Sequence, residues 1–454
     1  MIQANHSESI NMDKINISPQ SEQGLGNNNN NDNKQEIPTQ ESEESKMNKL
    51  KIEQENYKLE EQVEAMLNQS DRSLAYFEII TNLEPIPNAD AIEVATILGW
   101  KVIVKKGLYK VNDMVVYVEI DSVLPPWEYF VNDGLDKRNF KIKTIKLRGQ
   151  ISAGYCIPIK ELIKHPNKVL EFVYHADQEQ QNDIGSIKQI IDKSDNDKII
   201  QLQVGIDLTQ FIGITKVVDF VYQPRGGNRV RSPNMNLVPF PGFIKKTDQT
   251  RIQNLSRFIS QYNDVEFEVT EKLEGSSITA YHYKGKTGIC SRNFQLVEYS
   301  HQMETSLIQD LDILEKLKNL NENIALQGEI IGPSIQGNIY NLQKSMYRVF
   351  DIWLIEKQRY ASHQERVDLL EKLGLPWQKH GVPVFNNSFK FDSNMTVDSL
   401  LKLADGHTIL KESRVKVLRE GLVFKSKSLI GNSDNQHIIS FKVISNEYLI
   451  KKNK

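Results

Sequence analysis

The sequence is poor in cysteine, in long apolar runs and in net charge, and each shortage excludes a class of protein. Only two cysteines, Cys156 and Cys290, occur in 454 residues, which argues against a disulfide framework and a cysteine-based zinc site. No apolar run approaches the ~18 residues of a membrane-spanning helix. The first residues, MIQANHSESINMDKINI, contain no apolar signal segment. We therefore expect a soluble intracellular protein of the cytoplasm or nucleus, with no membrane partner.

The formal net charge of −3 predicts that any polynucleotide-binding surface is a local patch rather than a property of the whole chain. The chain is long enough for two or three domains, but its mean hydropathy of −0.47 indicates that part of it stays unfolded. Residues 1–45 are rich in Asn, Gln, Ser and Glu, and we predict a disordered low-complexity tail. Residues 46–70 consist mainly of helix-forming residues and are predicted to form a helical segment.

From Tyr76 onward the pattern changes to short β-rich runs separated by turn residues. The runs YFEIITNL, AIEVATIL, WKVIVKK and MVVYVEI are punctuated by PNAD, KKG and VND. Several short strands at this spacing are typical of a small barrel. Residues 75–160 are therefore predicted to form an OB-like nucleic-acid-binding domain, with a barrel used only for packing as the alternative.

A basic stretch, KRNFKIKTIKLRG, follows within this domain. Its cations can neutralise phosphates and Phe140 can stack on a base, so Lys143, Lys146 and Arg148 are candidate nucleic-acid contacts. A solvated charged face is the alternative. Residues 161–240 are predicted to be an insertion and linker, because 165–215 is polar without a clear period and resembles a long loop.

The stretch FPGFIKKTDQTRIQNLSRFIS is predicted to contain a helix that Thr247 or Asp248 caps. Lys245 and Lys246 precede the predicted N-terminus, where an anion is favoured. These two lysines and Arg251 are further candidates for contact with nucleic acid.

The stretch EKLEGSS offers a nucleophile. Lys272 ends an apolar strand, and Glu274 and Gly275 follow it at once. The apolar neighbours Val269 and Leu273 would desolvate the amine and favour its neutral form. A neutral lysine that attacks phosphorus forms a phosphoramidate. The motif is short, and a surface lysine in a turn is the alternative reading of these residues.

Further along the chain, charged side chains recur inside or beside apolar strands. Glu329 lies in ALQGEIIG, Glu420 precedes LVFKS, and Lys442 lies in IISFKVIS, while Arg292 follows a strand and Phe350 lies in YRVFDIW. A lone charge in an apolar strand is costly unless it is paired or bound to a metal. This recurrence is hard to explain by packing alone.

In order and spacing these stretches resemble the motifs of the covalent nucleotidyltransferases, and most closely those of ATP-dependent RNA ligases with an N-terminal OB domain. The resemblance covers about 75–454, with 165–215 poorly matched. It implies a multidomain fold, in which an OB-like β-barrel precedes an α+β, ATP-grasp-like nucleotidyltransferase domain with antiparallel sheets at 241–454.

The resemblance also implies a role for each motif. Lys272 would take AMP from ATP as pyrophosphate leaves, and Lys442 would contact the α-phosphate. The nucleotide would be bound by Glu271, Glu274, Gly275, Arg292, Glu329, Phe350, Glu420 and Lys425. Mg²⁺ or Mn²⁺ would be bound by Glu274, Glu329 and Glu420. The expected partner is RNA, at a nick or break that can include a DNA strand, and a monomer is expected.

Two departures from the family pattern stand out, Glu274 where Asp is common and Ser440 where a lysine is common. Because only VISNEYLIKKNK follows Lys442, the sequence disfavours DNA ligases and capping enzymes, which usually continue into a C-terminal OB domain. The alternatives are a capping guanylyltransferase that uses GTP and a non-catalytic RNA-binding protein with a degenerate ligase domain.

Overall fold

The computed structural model describes residues 73–174, 187–216, 238–292, 294–296, 303–432 and 435–452. The predicted tail at 1–45 and helical segment at 46–70 lie outside the described residues. We refer to residues 73–216 as the N-terminal part and to residues 238–452 as the C-terminal part. In the described residues no helix has the length and apolarity needed to cross a membrane.

The N-terminal part begins with short strands and one helix. These are β1 (Ala75–Pro85), β2 (Ile92–Ile97), β3 (Trp100–Lys105), β4 (Met114–Val118), β5 (Ser122–Val123), α1 (Glu128–Asn132), β6 (Lys141–Ile142), β7 (Ile145–Leu147), β8 (Gln150–Ser152) and β9 (Tyr155–Pro158).

The main sheet of this part has the order β3-β2-β1-β4-β9, with antiparallel neighbours throughout. The first half of β1 pairs with β4 and the second half with β2, and the register shifts between Ile80 and Asn82. Such a bulge bends a strand, and the sheet is curled, as the OB-like prediction requires. Its concave side holds a core that includes Phe77, Trp100 and Tyr117, all nearly inaccessible to solvent.

The described parts of the segment predicted as a long loop, 165–174 and 187–215, contain secondary structure. It forms β10 (Leu170–Tyr174), β11 (Ile187–Asp192), β12 (Lys198–Gln201), α2 (Thr209–Ile212) and β13 (Thr215–Lys216). The first three strands make an antiparallel meander, and β13 pairs with β5. The prediction of a loop was wrong for these parts because their strands, such as IKQIID at 187–192, do not alternate strictly between polar and apolar residues, although Ile187, Ile190 and Ile200 are buried in the same core as the main sheet.

The C-terminal part is built from two sheets with helices around them. Its strands are β14 (Val238–Pro239), β15 (Thr250–Arg251), β16 (Phe267–Lys272), β17 (Ser276–Tyr283), β18 (Lys286–Cys290), β19 (Phe294–Leu296), β20 (Ile324–Ile331), β21 (Met346–Leu354), β22 (Arg359–Tyr360), β23 (Val384–Phe389), β24 (Gly421–Ser426) and β25 (Ser440–Ile444). Its helices are α3 (Met303–Asp310), α4 (Ile313–Leu320), α5 (His363–Lys372), α6 (Trp377–His380), α7 (Val397–Ala404) and α8 (Asn446–Lys452).

The two sheets have the orders β14-β19-β18-β17-β20-β21-β22 and β15-β25-β24-β16-β23. All pairs are antiparallel except β15 with β25. This agrees with the predicted α+β fold with antiparallel sheets. Strand β16 belongs to one sheet and β17 to the other, so the turn at 273–275 carries the chain from one sheet to the next.

The helix predicted to begin after Thr247 begins later in the structure and is a 3₁₀ helix. A 3₁₀ segment covers Ile252–Tyr262, and Arg251 occupies the capping position without a side-chain cap. Thr247 and Asp248 are therefore not the cap, and both line the cavity described below. The segment forms the joint with the N-terminal part, because Asn254 bonds to Trp100 and Glu119 at 2.6 Å each.

Candidate active site

Lys272 lies in the wall of a cavity of about 950 Å³ that residues of both parts line. The lysine is the last residue of β16, and its side chain remains 30% exposed. Its Nζ donates to Oε2 of Glu420 at 2.7 Å. Glu420 directly precedes β24, and β24 pairs with β16 so that Gly421 lies opposite Lys272. Sheet pairing therefore brings together two residues that are far apart in sequence.

Gly275 is required by close packing in the turn after Lys272. A Cβ atom at this position would lie 2.2 Å from the carbonyl oxygen of Ile330 and 2.9 Å from Cγ of Glu329. Contacts below about 3 Å are excluded for a real side chain. Strand β20 can therefore approach the turn closely enough to place Glu329 beside Lys272.

Glu329 lies half-buried on β20 and lines the cavity. Burial, assisted by the Glu420 carboxylate and opposed by Lys272 and Arg292, raises the pKa of Glu329 to about 7. Glu329 and Glu420 both line the cavity, and two carboxylates in one cavity attract a cation.

Glu274 is held by the C-terminal helix rather than turned toward Glu329. Its Oε1 accepts from Nζ of Lys452 at 2.8 Å, and Lys452 also donates to the hydroxyl of Tyr448 at 3.0 Å. The backbone N–H of Glu274 donates to the hydroxyl of Tyr340 at 2.9 Å. Three side chains therefore fix the turn that follows the lysine.

Phe350 and Lys425 both line the cavity. Lys425 is almost fully buried, its Nζ lies 2.6 Å from Oδ2 of Asp351, and it also donates to the carbonyl oxygen of Phe350. Burial lowers the pKa of Lys425, although Asp351 opposes the shift. Arg366 continues this buried charge network to Glu268. Lys425 therefore supports the cavity floor at Phe350.

Arg292 and Lys442 line the cavity on the side of β15 and β25. Arg292 donates to Oδ1 of Asp248 at 2.7 Å. Burial acts to raise the pKa of Asp248, but Arg292 and Lys442 outweigh it and hold the pKa below its ordinary value. Ser440, at the departure from the family pattern, accepts a hydrogen bond from Gln249 at 2.8 Å.

Glu271 has a different environment from the one predicted. Although it lines the cavity, its buried Oε2 accepts from the backbone N–H of Ile409 at 2.7 Å. Burial raises the pKa of Glu271. The carboxylate anchors the loop that begins at Thr408.

The residues predicted to contact nucleic acid fall into separate places. Lys143 and Arg251 line the cavity, and Arg251 is buried, so it does not belong to an outer surface. Lys146 is exposed on β7, and Arg148 in the following turn donates to the carbonyl oxygen of Asn88 at 3.0 Å. Lys245 and Lys246 are half-buried, and neither lines the cavity.

Several cavity residues carry no signal in the sequence. Lys216 comes from β13, which was predicted as loop, while Asp248, Tyr448 and Lys452 lie in the wall together with Lys272. Hydrogen bonds from Tyr448 and Lys452 to neighbouring groups depend on α8 folding back on the motif turn. The only local hint is the run NEYLIKK, with a tyrosine and a lysine at helical spacing.

The carboxylates fit a divalent cation that substrate oxygens complete. In the described part of the chain, no group of three His, Cys, Asp or Glu residues forms a metal site on its own. Mg²⁺ is commonly bound by one or two carboxylates together with phosphates and waters. Glu329 and Glu420 line the cavity and would supply such carboxylates, whereas Glu274 is not among its lining residues.

A strand-ending lysine, two facing carboxylates, an aromatic residue and cations around one cavity define a covalent nucleotidyltransferase. A family model described as RNA ligase matches residues 265–444, and a model described as an OB-fold domain matches residues 74–159. No relative is found among curated proteins at a significant level.

Solved structures of Naegleria gruberi RNA ligase match almost the whole described chain. A lysine-to-alanine variant of that enzyme with ATP and Mn is 32% identical, covering 84% of this chain and 100% of that one, with a TM-score of 0.65. The same enzyme with PPi is 33% identical over 85% and 100% of the two chains, also with a TM-score of 0.65. A variant with AMP and Mn matches at 33% identity, 84% and 100% coverage and a TM-score of 0.65. The chain belongs to the RNA ligase family.

Proposed function

We propose that this RNA ligase uses ATP to join 5′-phosphate and 3′-OH ends through an AMP adduct on Lys272. The observation that carries the proposal is the Lys272–Glu420 contact of 2.7 Å in the cavity wall. Solved relatives contain ATP or AMP with Mn, or PPi; ATP and PPi are the substrate and leaving group of such a first step, and AMP is the product of the last.

The first step forms a phosphorus–nitrogen bond. Lys272 loses a proton to solvent together with its bond to Glu420, and its Nζ attacks the α-phosphorus of ATP while the bond to the β-phosphate breaks; the bonded nitrogen then loses a second proton to solvent. Glu420 orients the nitrogen until then. Lys442 lies on the strand next to β24, where its charge stabilises the α-phosphate as negative charge moves to pyrophosphate.

The remaining steps use the same pocket. The 5′-phosphate of one RNA strand attacks the lysyl-AMP phosphorus and releases Lys272. The 3′-OH of the other strand then attacks the 5′-phosphate, and AMP leaves. When bound by Glu329 and Glu420, a divalent cation neutralises phosphate charge. Phe350 stacks on the adenine, and Arg292 contacts ribose or phosphate.

The RNA substrate is proposed to be a nicked or broken strand, in which repair requires sealing. The OB-like sheet with Lys146 and Arg148 on its exposed β7–β8 hairpin supports contact with the polynucleotide. We also propose that one strand of the nicked duplex can be DNA. The enzyme is proposed to act as a monomer. We place the enzyme in the cytoplasm or nucleus.

Labelling with radioactive ATP or GTP tests this function. Incubation with ATP and Mg²⁺ should yield a covalent protein–AMP adduct, and Lys272→Ala should abolish it. Labelling by GTP but not ATP would favour the capping alternative. RNA binding without any adduct from wild-type protein would favour the degenerate, non-catalytic alternative.

A further inference from the structure

A basic loop lies beside the nucleophile turn and has no part in the roles above. This basic loop, residues 408–418, runs from the end of α7 toward Glu420. Lys411, Arg414 and Lys416 are exposed. Within the described residues, no salt bridge involves any of these three side chains.

Hydrogen bonds fix the basic loop next to Lys272. The N–H of Ile409 donates to the Glu271 carboxylate at 2.7 Å, one residue before the nucleophile. The N–H of Arg414 donates to the carbonyl oxygen of Tyr340 at 3.0 Å. The hydroxyl of Tyr340 in turn accepts from the N–H of Glu274. The loop is therefore tied to both sides of Lys272.

The one acidic residue of the basic loop is paired with an arginine outside the loop. Glu412 lies 2.5 Å from Nη2 of Arg348, a guanidinium that is only 5% exposed. Ser413 is also bonded to the loop, through the carbonyl oxygen of Val415 at 2.9 Å. Glu412 is 43% exposed, but its charge is paired with Arg348, whereas Lys411, Arg414 and Lys416 are exposed and have no such pairing within the described residues.

We infer that the basic loop binds the phosphate backbone of the RNA strand whose end reaches Lys272. The inference rests on the proposed function, since it requires an RNA end in the cavity. Exposed cations without acidic partners bind phosphates and release counterions. A loop tethered through Glu271 and Tyr340 holds such phosphates at a fixed position relative to the nucleophile. The RNA would thus contact two surfaces, the basic loop on the C-terminal part and the OB-like sheet on the N-terminal part.

The test is a triple variant, Lys411→Ala, Arg414→Ala and Lys416→Ala. Its matched control is Lys284→Ala, Lys286→Ala and Lys318→Ala. Lys284 follows β17 and Lys286 is the first residue of β18, and Lys318 is an exposed residue of α4. Both variants lose three positive charges, so a general charge effect would be equal in the two.

Three quantities are measured on full-length protein: ATP-dependent adduct formation, affinity for nicked duplex RNA at several salt concentrations, and sealing. The loop variant should form the adduct at the wild-type rate but bind RNA about tenfold more weakly. Its plot of log affinity against log salt should be shallower by about 2.7, since three phosphate contacts at about 0.9 each are lost. The control should match wild type in all three.

Wild-type RNA affinity and salt dependence in the loop variant would overturn the inference, as would an equal loss in the control. Failure of wild-type protein to form an adduct would instead contradict the proposed function. The two failures are distinguishable because adduct formation needs no RNA and RNA binding needs no ATP.

Discussion

At the scale of single residues, the turn after Lys272 depends on contacts that the motif itself does not reveal. The longer carboxylate of Glu274 reaches Lys452 at 2.8 Å, and the turn is packed against β20 at Gly275. The departure from Asp to Glu therefore has a partner in the same chain. Two substitutions examine this turn.

Replacing Lys452 by Ala should slow adduct formation about tenfold, since the released turn no longer holds Lys272 against Glu420. Glu274 is only 12% exposed and would be left without its charged partner. Lys451→Ala is the control, because Lys451 is an exposed neighbour on α8. The rate is measured as single-turnover adduct formation. Equal rates in the two variants would show that the Lys452–Glu274 contact does not position Lys272.

Replacing Gly275 by Ala should destabilise the protein by about 1–3 kcal/mol, the usual cost of overpacking. It should also abolish most adduct formation, because the added Cβ meets the carbonyl oxygen of Ile330 at 2.2 Å. Gly242→Ala is the matched control, since its added Cβ has no neighbour within 4 Å. The free energy of unfolding in urea and the yield of adduct should both be lower for Gly275→Ala than for Gly242→Ala. Equal values would show that β20 can shift to accommodate the added Cβ.

At the scale of elements, α5 supports the cavity floor from outside. Helix α5 covers His363–Lys372, and Ser362 and Glu365 form a capping box at its start. Arg366 on its inner face is part of the charge network that includes Asp351 and Lys425. The sequence could predict this helix from its local period, but not the buried arginine, whose partners come from β16 and β21.

The stability provided by Glu365 should depend on pH. Hydrogen bonds from Arg359, against some desolvation, lower the pKa of Glu365 to about 2 from 4.5. Its stabilisation is therefore complete above pH 4.5 and is lost as the pH falls from 4.5 to about 2. Glu365→Gln should lower the free energy of unfolding by about 1–2 kcal/mol at pH 7, a value reduced for partial solvent screening.

Urea unfolding at pH 7, 5 and 3.5 measures this difference. The gap between wild type and Glu365→Gln should be largest at pH 7 and should narrow below pH 4.5. Gln364→Glu, an adjacent exposed position on α5, is a control for helix charge. A gap that is constant with pH would mean that packing, not the ion pair with Arg359, accounts for the effect.

At the scale of the whole molecule, both parts of the chain complete one cavity. Lys143 and Lys216 from the N-terminal part line it together with Lys272. The resemblance to the ligase motifs implied a common pocket for Lys272, Glu329, Phe350 and Glu420, and all four line the cavity. Lys216 and Lys452 were not predictable, since their approach depends on pairing and docking of distant segments that leave no local period.

Asn254 joins the two parts, and its loss should weaken the joint. Asn254→Ala leaves the Trp100 indole and the buried Glu119 carboxylate without this partner, at a cost of about 1–3 kcal/mol. We expect a lower melting temperature and slower adduct formation. Asn82→Ala, on the exposed part of β1, is the control. A single unshifted calorimetric transition would contradict a structural role for the joint.

The central claim is that Lys272 carries AMP, and peptide mapping of the trapped adduct tests it most directly. Wild-type protein is incubated with ATP and Mg²⁺ without RNA, digested, and analysed by tandem mass spectrometry. We expect AMP on Lys272 alone, and we expect it to disappear when 5′-phosphorylated RNA is added. AMP found on Lys425, Lys442 or another residue, with Lys272 unmodified, would show that Lys272 is not the nucleophile.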